Sequence, residues 1–245
     1  MARAVQYTSL AWSSCVCSGV IIGPHGTGCL TRGRRRVCYA SGHMARVAAI
    51  TSEKGGVGKS TLAVHLAGAA HAQGHNVLLV DEDGRVGSSL RWAERAGALP
   101  FPVVAADDVK PKKLAAFDLV LIDTEGRPRR KDLRQLADRA DLILVPSGVS
   151  PLEVDATREL LDFLTEEGAA RQSRVILTRV PPVGHAAEVL REDLREGGVT
   201  VCNTLVRSYL AYQRAAELGV LARDVRDPRA LAAWADIETL SRELW

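Results

Sequence analysis

Three groups of side chains in this 245-residue chain have the types and spacing to handle phosphate and a divalent cation. The first is Glu53-Lys54-Gly55-Gly56-Val57-Gly58-Lys59-Ser60-Thr61. The ordinary phosphate-binding loop reads Gly-x-x-x-x-Gly-Lys-Ser/Thr, and Lys54 through Ser60 fit every position after the first, with Glu53 standing where the first glycine belongs. Glycines let the backbone wrap phosphates and aim N–H groups at them, and the N-terminus of a following helix adds positive potential. Lys59 would neutralise the β- and γ-phosphates, and the Ser60 hydroxyl would ligate Mg²⁺. The second group ends Phe117-Asp118-Leu119-Val120-Leu121-Ile122-Asp123, an apolar strand closing on an acid in the Walker B manner. Asp123 would hold Mg²⁺ through water. The third ends Val77-Leu78-Leu79-Val80-Asp81-Glu82-Asp83, where Asp83 would orient an attacking water. Acids at strand ends also cap the turn that follows, and that reading stays open for both carboxylates. Together the groups describe Mg²⁺-dependent hydrolysis of a nucleotide.

Such chemistry needs a strand before the loop and a helix after it, and the hydrophobic pattern supplies both. Val47–Thr51 reads as a buried strand, and a helix is predicted from about Lys59 to Gln73, stopping at Gly74. Further strands are predicted at Asn76–Val80, Val103–Ala105, Leu119–Ile122, Leu142–Val145 (ending at Pro146), Val175–Thr178 and Val201–Val206. Helices are predicted over Lys131–Ala140, from Ser150 to Glu167, and near Ala186–Glu196. Ser150-Pro151-Leu152-Glu153 is a helix start with a capping box. Short apolar strands alternating with helices imply an α/β fold, a mainly parallel twisted sheet with helices on both faces, which is the P-loop NTPase arrangement. In the last segment, Pro228–Trp245, Ala233, Ile237, Leu240 and Leu244 share one helical face and are expected to dock on the core. Asp236, Glu238 and Glu243 on that helix argue against an anionic membrane as its partner.

Composition narrows the class. Hydrophobic residues make up 47% and aromatics only 4%, so a large core must be filled by aliphatic side chains. No run reaches the ~18–20 apolar residues of a membrane span, which implies a soluble protein, and the scarcity of cysteine in the body implies a reduced, cytoplasmic one. The net charge of +3 comes from residues 1–43, which hold five Arg and no acid. Taking those five from 32 basic residues leaves 27 against 29 acidic, a net of −2, so nucleic acid would have to be met by a local patch. Cys15, Cys17, Cys29 and Cys38 fall in the same stretch, and Cys202 alone lies beyond it, so the body has no disulfide framework. Residues 1–43 show no sustained period and read as a disordered or non-native extension, with translation opening at Met44. A transit peptide is a second reading, and a metal site a third, although the cysteine spacing matches no common zinc pattern.

Lys54-Gly55-Gly56-Val57-Gly58-Lys59-Ser60-Thr61 resembles the KGGxGK[ST]T signature of the ParA/MinD deviant Walker A ATPases, and small plasmid-partition ParA proteins in particular. The resemblance covers about residues 44–225. Asp81-Glu82-Asp83 is similar to the D-x-D segment of that family, and Asp123-Thr124 to its Walker B. Val145-Pro146-Ser147 through Ser150-Pro151-Leu152 is similar to the segment after the next strand. The resemblance implies an ATPase in which two protomers sandwich two ATP and Mg²⁺. Lys54 would reach the partner's phosphates, the ATP homodimer would bind DNA without sequence preference on the nucleoid, and a ParB-like partner would stimulate hydrolysis and release. It places DNA-contacting basic residues in the region of Arg179, Arg207 and Arg214; Arg127, Arg129, Arg130 and Lys131 form a further basic stretch. A MinD-like ATPase positioning a membrane-bound or other non-DNA cargo is the alternative. Gly84-Arg85 and Glu125-Gly126 depart from the family pattern where nucleotide is sensed.

Overall fold

The computed structural model describes residues 45–96 and 99–245. The expectations for residues 1–43 and Met44 lie outside the described residues. Seven strands, β1 (Arg46–Ile50), β2 (Val77–Asp81), β3 (Val103–Ala105), β4 (Leu119–Asp123), β5 (Leu142–Ser147), β6 (Ser173–Val180) and β7 (Val206–Arg207), form one sheet in the order β3-β2-β4-β1-β5-β6-β7. Every pairing in it is parallel. The eight α-helices among the described residues are α1 (Lys59–Ala72), α2 (Ser88–Ala96), α3 (Pro111–Leu114), α4 (Arg130–Arg139), α5 (Pro151–Glu166), α6 (Ala186–Glu196), α7 (Leu210–Leu218) and α8 (Ala230–Leu244).

Strand alternation divides the core in two. Ala48, Ile50, Leu79, Leu121, Leu144 and Ile176 pack with α1, α2, α7 and α8 on one face. Ala49, Val80, Val120, Ile122, Ile143 and Leu177 pack with α4, α5 and α6 on the other. Because side chains alternate with a period of two, strands covered on both faces must be apolar throughout, which is why β2 and β4 read as continuous apolar runs. Each fully buried Leu, such as Leu121 or Leu144, contributes about 1.5–3 kcal/mol relative to an exposed one.

Helix α1 is buried almost all round, from Leu62 to Ala70. Its Ala and Gly content allows this close approach. A Cβ on Gly68 would lie 2.7 Å from both δ-carbons of Leu221, so any larger residue here would require the Leu221 side chain to move. His65 fixes the same contact: its Nδ1 lies 2.7 Å from the Thr61 carbonyl, and its Nε2 accepts the Ala222 N–H at 3.0 Å. Accepting at Nε2 makes Nδ1–H the donor, so the ring is neutral, and burial pushes its pKa down to about 4. Trp92 and Tyr212 meet it edge-on. α8 docks on α1 through Ala233, Ile237 and Leu240, as its periodicity implied.

Several expectations are corrected. β5 runs through Pro146 to Ser147 instead of stopping at Val145. The Leu144 carbonyl accepts from Thr51 N–H on the β1 side. Pro146, of the same parity, turns its missing N–H to that side beyond the last residue of β1, where no ladder bond is lost. The strand expected over Val201–Val206 is a single bridge at Val201 and a two-residue β7. Helices α2 and α7 have no counterpart in the periodicity analysis.

Candidate functional site

The loop between β1 and α1 lies at the C-terminal ends of β1, β4 and β2, the position where open parallel sheets bind ligands. Gly56 and Gly58 adopt positive φ, 78° and 91°, which L side chains rarely tolerate. Gly58 caps α1 without any side-chain bond, so the first N–H groups of α1 are left for an anion. The loop is pinned from below: the Thr178 hydroxyl of β6 donates to the Val57 carbonyl at 2.8 Å. Ser52 Oγ donates to the Lys54 carbonyl at 2.7 Å and accepts from Lys59 Nζ at 3.2 Å.

Lys59 is 8% exposed. Burial lowers its pKa, and the negative charges of Asp123 and Asp83 oppose that shift. Asp123 is 2% exposed, and burial raises its carboxyl to about 6 against the hydroxyls of Ser60 and Ser89, which favour the charged form. Its Oδ2 accepts from Ser89 Oγ at 2.7 Å, while its Oδ1 is buried without a partner. Thr51 Oγ1, at the end of the neighbouring β1, is also buried without one. A buried carboxylate oxygen with no donor is costly, and a hard cation held by oxygen ligands meets that need. The donor set of Ser60 and Asp123 therefore fits Mg²⁺.

The two acids closing β2 separate. Asp81 accepts the backbone N–H groups of Asp83, Ser89 and Leu90 and so caps α2. Asp83 Oδ1 accepts from Arg85 and Val86, holding the Gly84-Arg85 turn, and its charge still acts on Lys59. Lys54 is half-buried, and among the described residues its ammonium has no hydrogen-bond or ion-pair partner. Glu53 pairs with Arg130 at 3.5 Å, and Arg130 lies over the Phe163 ring.

Among the described residues, none of the C-terminal arginines forms a hydrogen bond or ion pair with a side chain of this loop. Arg179 pairs with Glu153, Arg207 with Asp236 at 3.0 Å, and Arg214 with Asp227 at 2.8 Å. Each keeps two-fifths to one-half of its side chain exposed. Sequence reasoning missed Ser52, Ser89 and Thr178: hydroxyls are common, Ser52 adjoins the loop without a motif to mark it, and only the fold brings Thr178 to the loop and Ser89 to Asp123.

A family profile described as the CobQ/CobB/MinD/ParA nucleotide binding domain matches residues 48–222. The chain is 36% identical over 208 residues to the maintenance of carboxysome distribution protein A of Gloeobacter kilaueensis, covering 81% of this chain and 94% of that one. It is 29% identical over 187 residues to protein ParA of Rhizobium radiobacter, covering 71% and 83%. Among solved structures, an ATP complex of Cyanothece McdA superposes with a TM-score of 0.60 at 17% identity, covering 83% and 97%.

Proposed function

The chain belongs to the CobQ/CobB/MinD/ParA nucleotide-binding family as a Mg²⁺-dependent ATPase of its ParA/MinD type, and from that premise we propose that it is a partition ATPase. In this reading it dimerises on ATP, binds duplex DNA without sequence preference, and is released when a ParB-like partner stimulates hydrolysis. The observation that carries it is Lys54, a cation at the mouth of the phosphate loop with no partner among the described residues. A lysine so placed is available to a phosphate outside its own subunit, so the dimer would depend on the γ-phosphate.

The residues divide the work. The N–H groups of Gly55 through Thr61 cradle the phosphates, and Lys59 moves from Ser52 to the bridging oxygens. Ser60 and Asp123 would hold Mg²⁺, which when bound would supply positive charge against the phosphates. Asp83, anchored through Oδ1, has Oδ2 left to orient the attacking water. Lys54 from the second protomer stabilises the charge that develops, as an arginine finger does. Arg179, Arg207 and Arg214 would meet DNA phosphates with the donors that their carboxylates leave open.

The identity to a carboxysome-distribution protein favours one second reading, in which the same cycle positions a cargo other than DNA. The membrane version has less support, because α8 has its apolar face in the core and no helix of the described residues is long and apolar enough to cross a membrane. The test is duplex-DNA binding and solution mass with ATP, ADP and no nucleotide, for wild type and Lys54→Ala. ATP-dependent, salt-sensitive binding that Lys54→Ala loses together with the dimer is expected. Binding indifferent to ATP, or a dimer that survives the substitution, would overturn the reading.

A further inference from the structure

β2 and β4 are neighbours, and Asp81 and Asp123 are register partners at their C-terminal ends. Both carboxylates are 2% exposed. Two like charges side by side in a dry interior persist only if each has its own donors. Asp81 has three backbone N–H groups, from Asp83 at 2.9 Å, Ser89 at 2.9 Å and Leu90 at 3.1 Å. Asp123 has one strong side-chain bond, from the hydroxyl of Ser89 at 2.7 Å, and that bond occupies Oδ2 alone. Ser89 thus hydrogen-bonds both carboxylates: its N–H is tied to Asp81 and its O–H to Asp123. Its side chain is completely buried, so water does not compete for either bond. Its neighbour Ser88, at the first position of α2, is partly exposed and its hydroxyl has no partner among the described residues.

Tying Oδ2 stops the Asp123 carboxylate from turning about its last side-chain bond. Oδ1, the oxygen without a hydrogen-bond partner, is thereby held in one place, in a carboxyl on which Ser60 and Lys59 both act. We infer that Ser89 is a positioning residue for the metal-holding carboxylate, anchored by Asp81 and setting which oxygen of Asp123 meets the cation. The inference rests on the reading of Ser60 and Asp123 as the Mg²⁺ ligands. It gives Asp81 a task distinct from that of Asp83: Asp81 builds the start of α2, and α2 delivers the hydroxyl. Partners that orient a metal ligand from behind typically change metal affinity 10–100-fold when removed.

The experiment is equilibrium binding of a fluorescent, non-hydrolysable ATP analogue across a Mg²⁺ titration, with wild type, Ser89→Ala, Ser89→Cys and the neighbouring Ser88→Ala. Ser89→Ala keeps the backbone bond to Asp81 and removes only the hydroxyl. The Mg²⁺ concentration for half-saturation is expected to rise about tenfold in Ser89→Ala. Ser89→Cys, which keeps a weak donor, is expected to fall between it and wild type and carries the test should the alanine variant fold poorly. Ser88→Ala is expected to match wild type. Analogue affinity in EDTA is expected to change less than twofold in every variant, which a merely structural loss would not allow. An unchanged Mg²⁺ dependence in the Ser89 variants, or an equal loss with and without Mg²⁺, would overturn the inference alone. A wild-type protein whose nucleotide binding ignores Mg²⁺ would overturn the metal site and the inference together.

Discussion

The cations of the phosphate loop and those of the C-terminal third live under opposite rules. Lys59 is buried, and its ammonium donates to a neutral hydroxyl, with Asp123 and Asp83 acting only at a distance; Lys54 has no partner among the described residues. Arg179, Arg207 and Arg214 are more exposed, yet each is matched with a carboxylate of its own chain. A protein fold ordinarily satisfies its buried charges, as the carboxylates facing these three arginines show. A loop that leaves buried lysine charge and a carboxylate oxygen uncompensated is shaped for something from outside, and the charges missing from it are those of a phosphate and a divalent cation.

Breaking the loop side should give the largest effect. Lys59→Ala is expected to lower kcat for ATP hydrolysis by about 100–1000-fold, the size seen when one preorganised donor to a developing charge is removed. A loss under tenfold in steady-state phosphate release would mean that the buried charge is not used on phosphate.

The seam between the two regions comes next. His65, in the helix that the loop opens, holds the C-terminal segment at Ala222 as a neutral ring. Its folded pKa of about 4 lies below the ordinary 6.5, so the unfolded state binds the extra proton between these values. Stability is then fully present above about pH 6.5 and is lost as pH falls toward 4, by roughly 3 kcal/mol at about 1.4 kcal/mol per pH unit. Urea unfolding at pH 7, 5.5 and 4 checks this. His65→Phe should be less stable at pH 7 but flatter across that window; equal slopes in the two proteins would remove His65 as the cause.

On the C-terminal side, Arg207→Ala leaves Asp236 buried without its guanidinium, with only the Arg207 N–H still donating. A loss of about 2 kcal/mol in chemical denaturation is expected. If Arg207 also meets DNA, the slope of log affinity against log salt should fall by about one in the same variant. A stability loss with an unchanged slope would return it to a purely structural role. The smallest effect belongs to Glu53→Ala, which breaks a half-exposed ion pair with Arg130 and should cost under about 1 kcal/mol. A larger thermal shift would mean that this pair braces the loop to α4.

Much of this contrast was legible in the sequence on the loop side and little of it on the other. Loop, flanking strand and helix form one contiguous stretch, so glycine positions and apolar runs were enough to find them. The strand-end acids were found by the same logic, but their division was not. Asp81 and Asp83 are two residues apart, one the last residue of β2 and the other just past it, and only the return of α2 decides that the first caps a helix. α2 and α7 escaped because each is only nine residues long, too short for a sustained period, and they pack through Trp92 in one and Ala211, Tyr212 and Ala215 in the other. The Val201–Val206 run looked like a strand because apolar β-branched residues favour one, yet at the sheet edge only Val201 and Val206–Arg207 find a partner.

By itself, then, the sequence determined the kind of protein: an α/β chain with a phosphate loop, a strand-end acid at Asp123 and a lysine, Lys54, beside the loop glycines. These are short-range facts, written in residue spacing and the two periods of helix and strand. Only the tertiary structure decided which charges are spent and which are kept. Glu153, Asp227 and Asp236 lie 26, 13 and 29 residues from the arginines they neutralise, and Ser89 lies 34 from the carboxylate it turns. No local rule carries that information, because a charge is compensated by whatever the fold brings within about 3 Å of it.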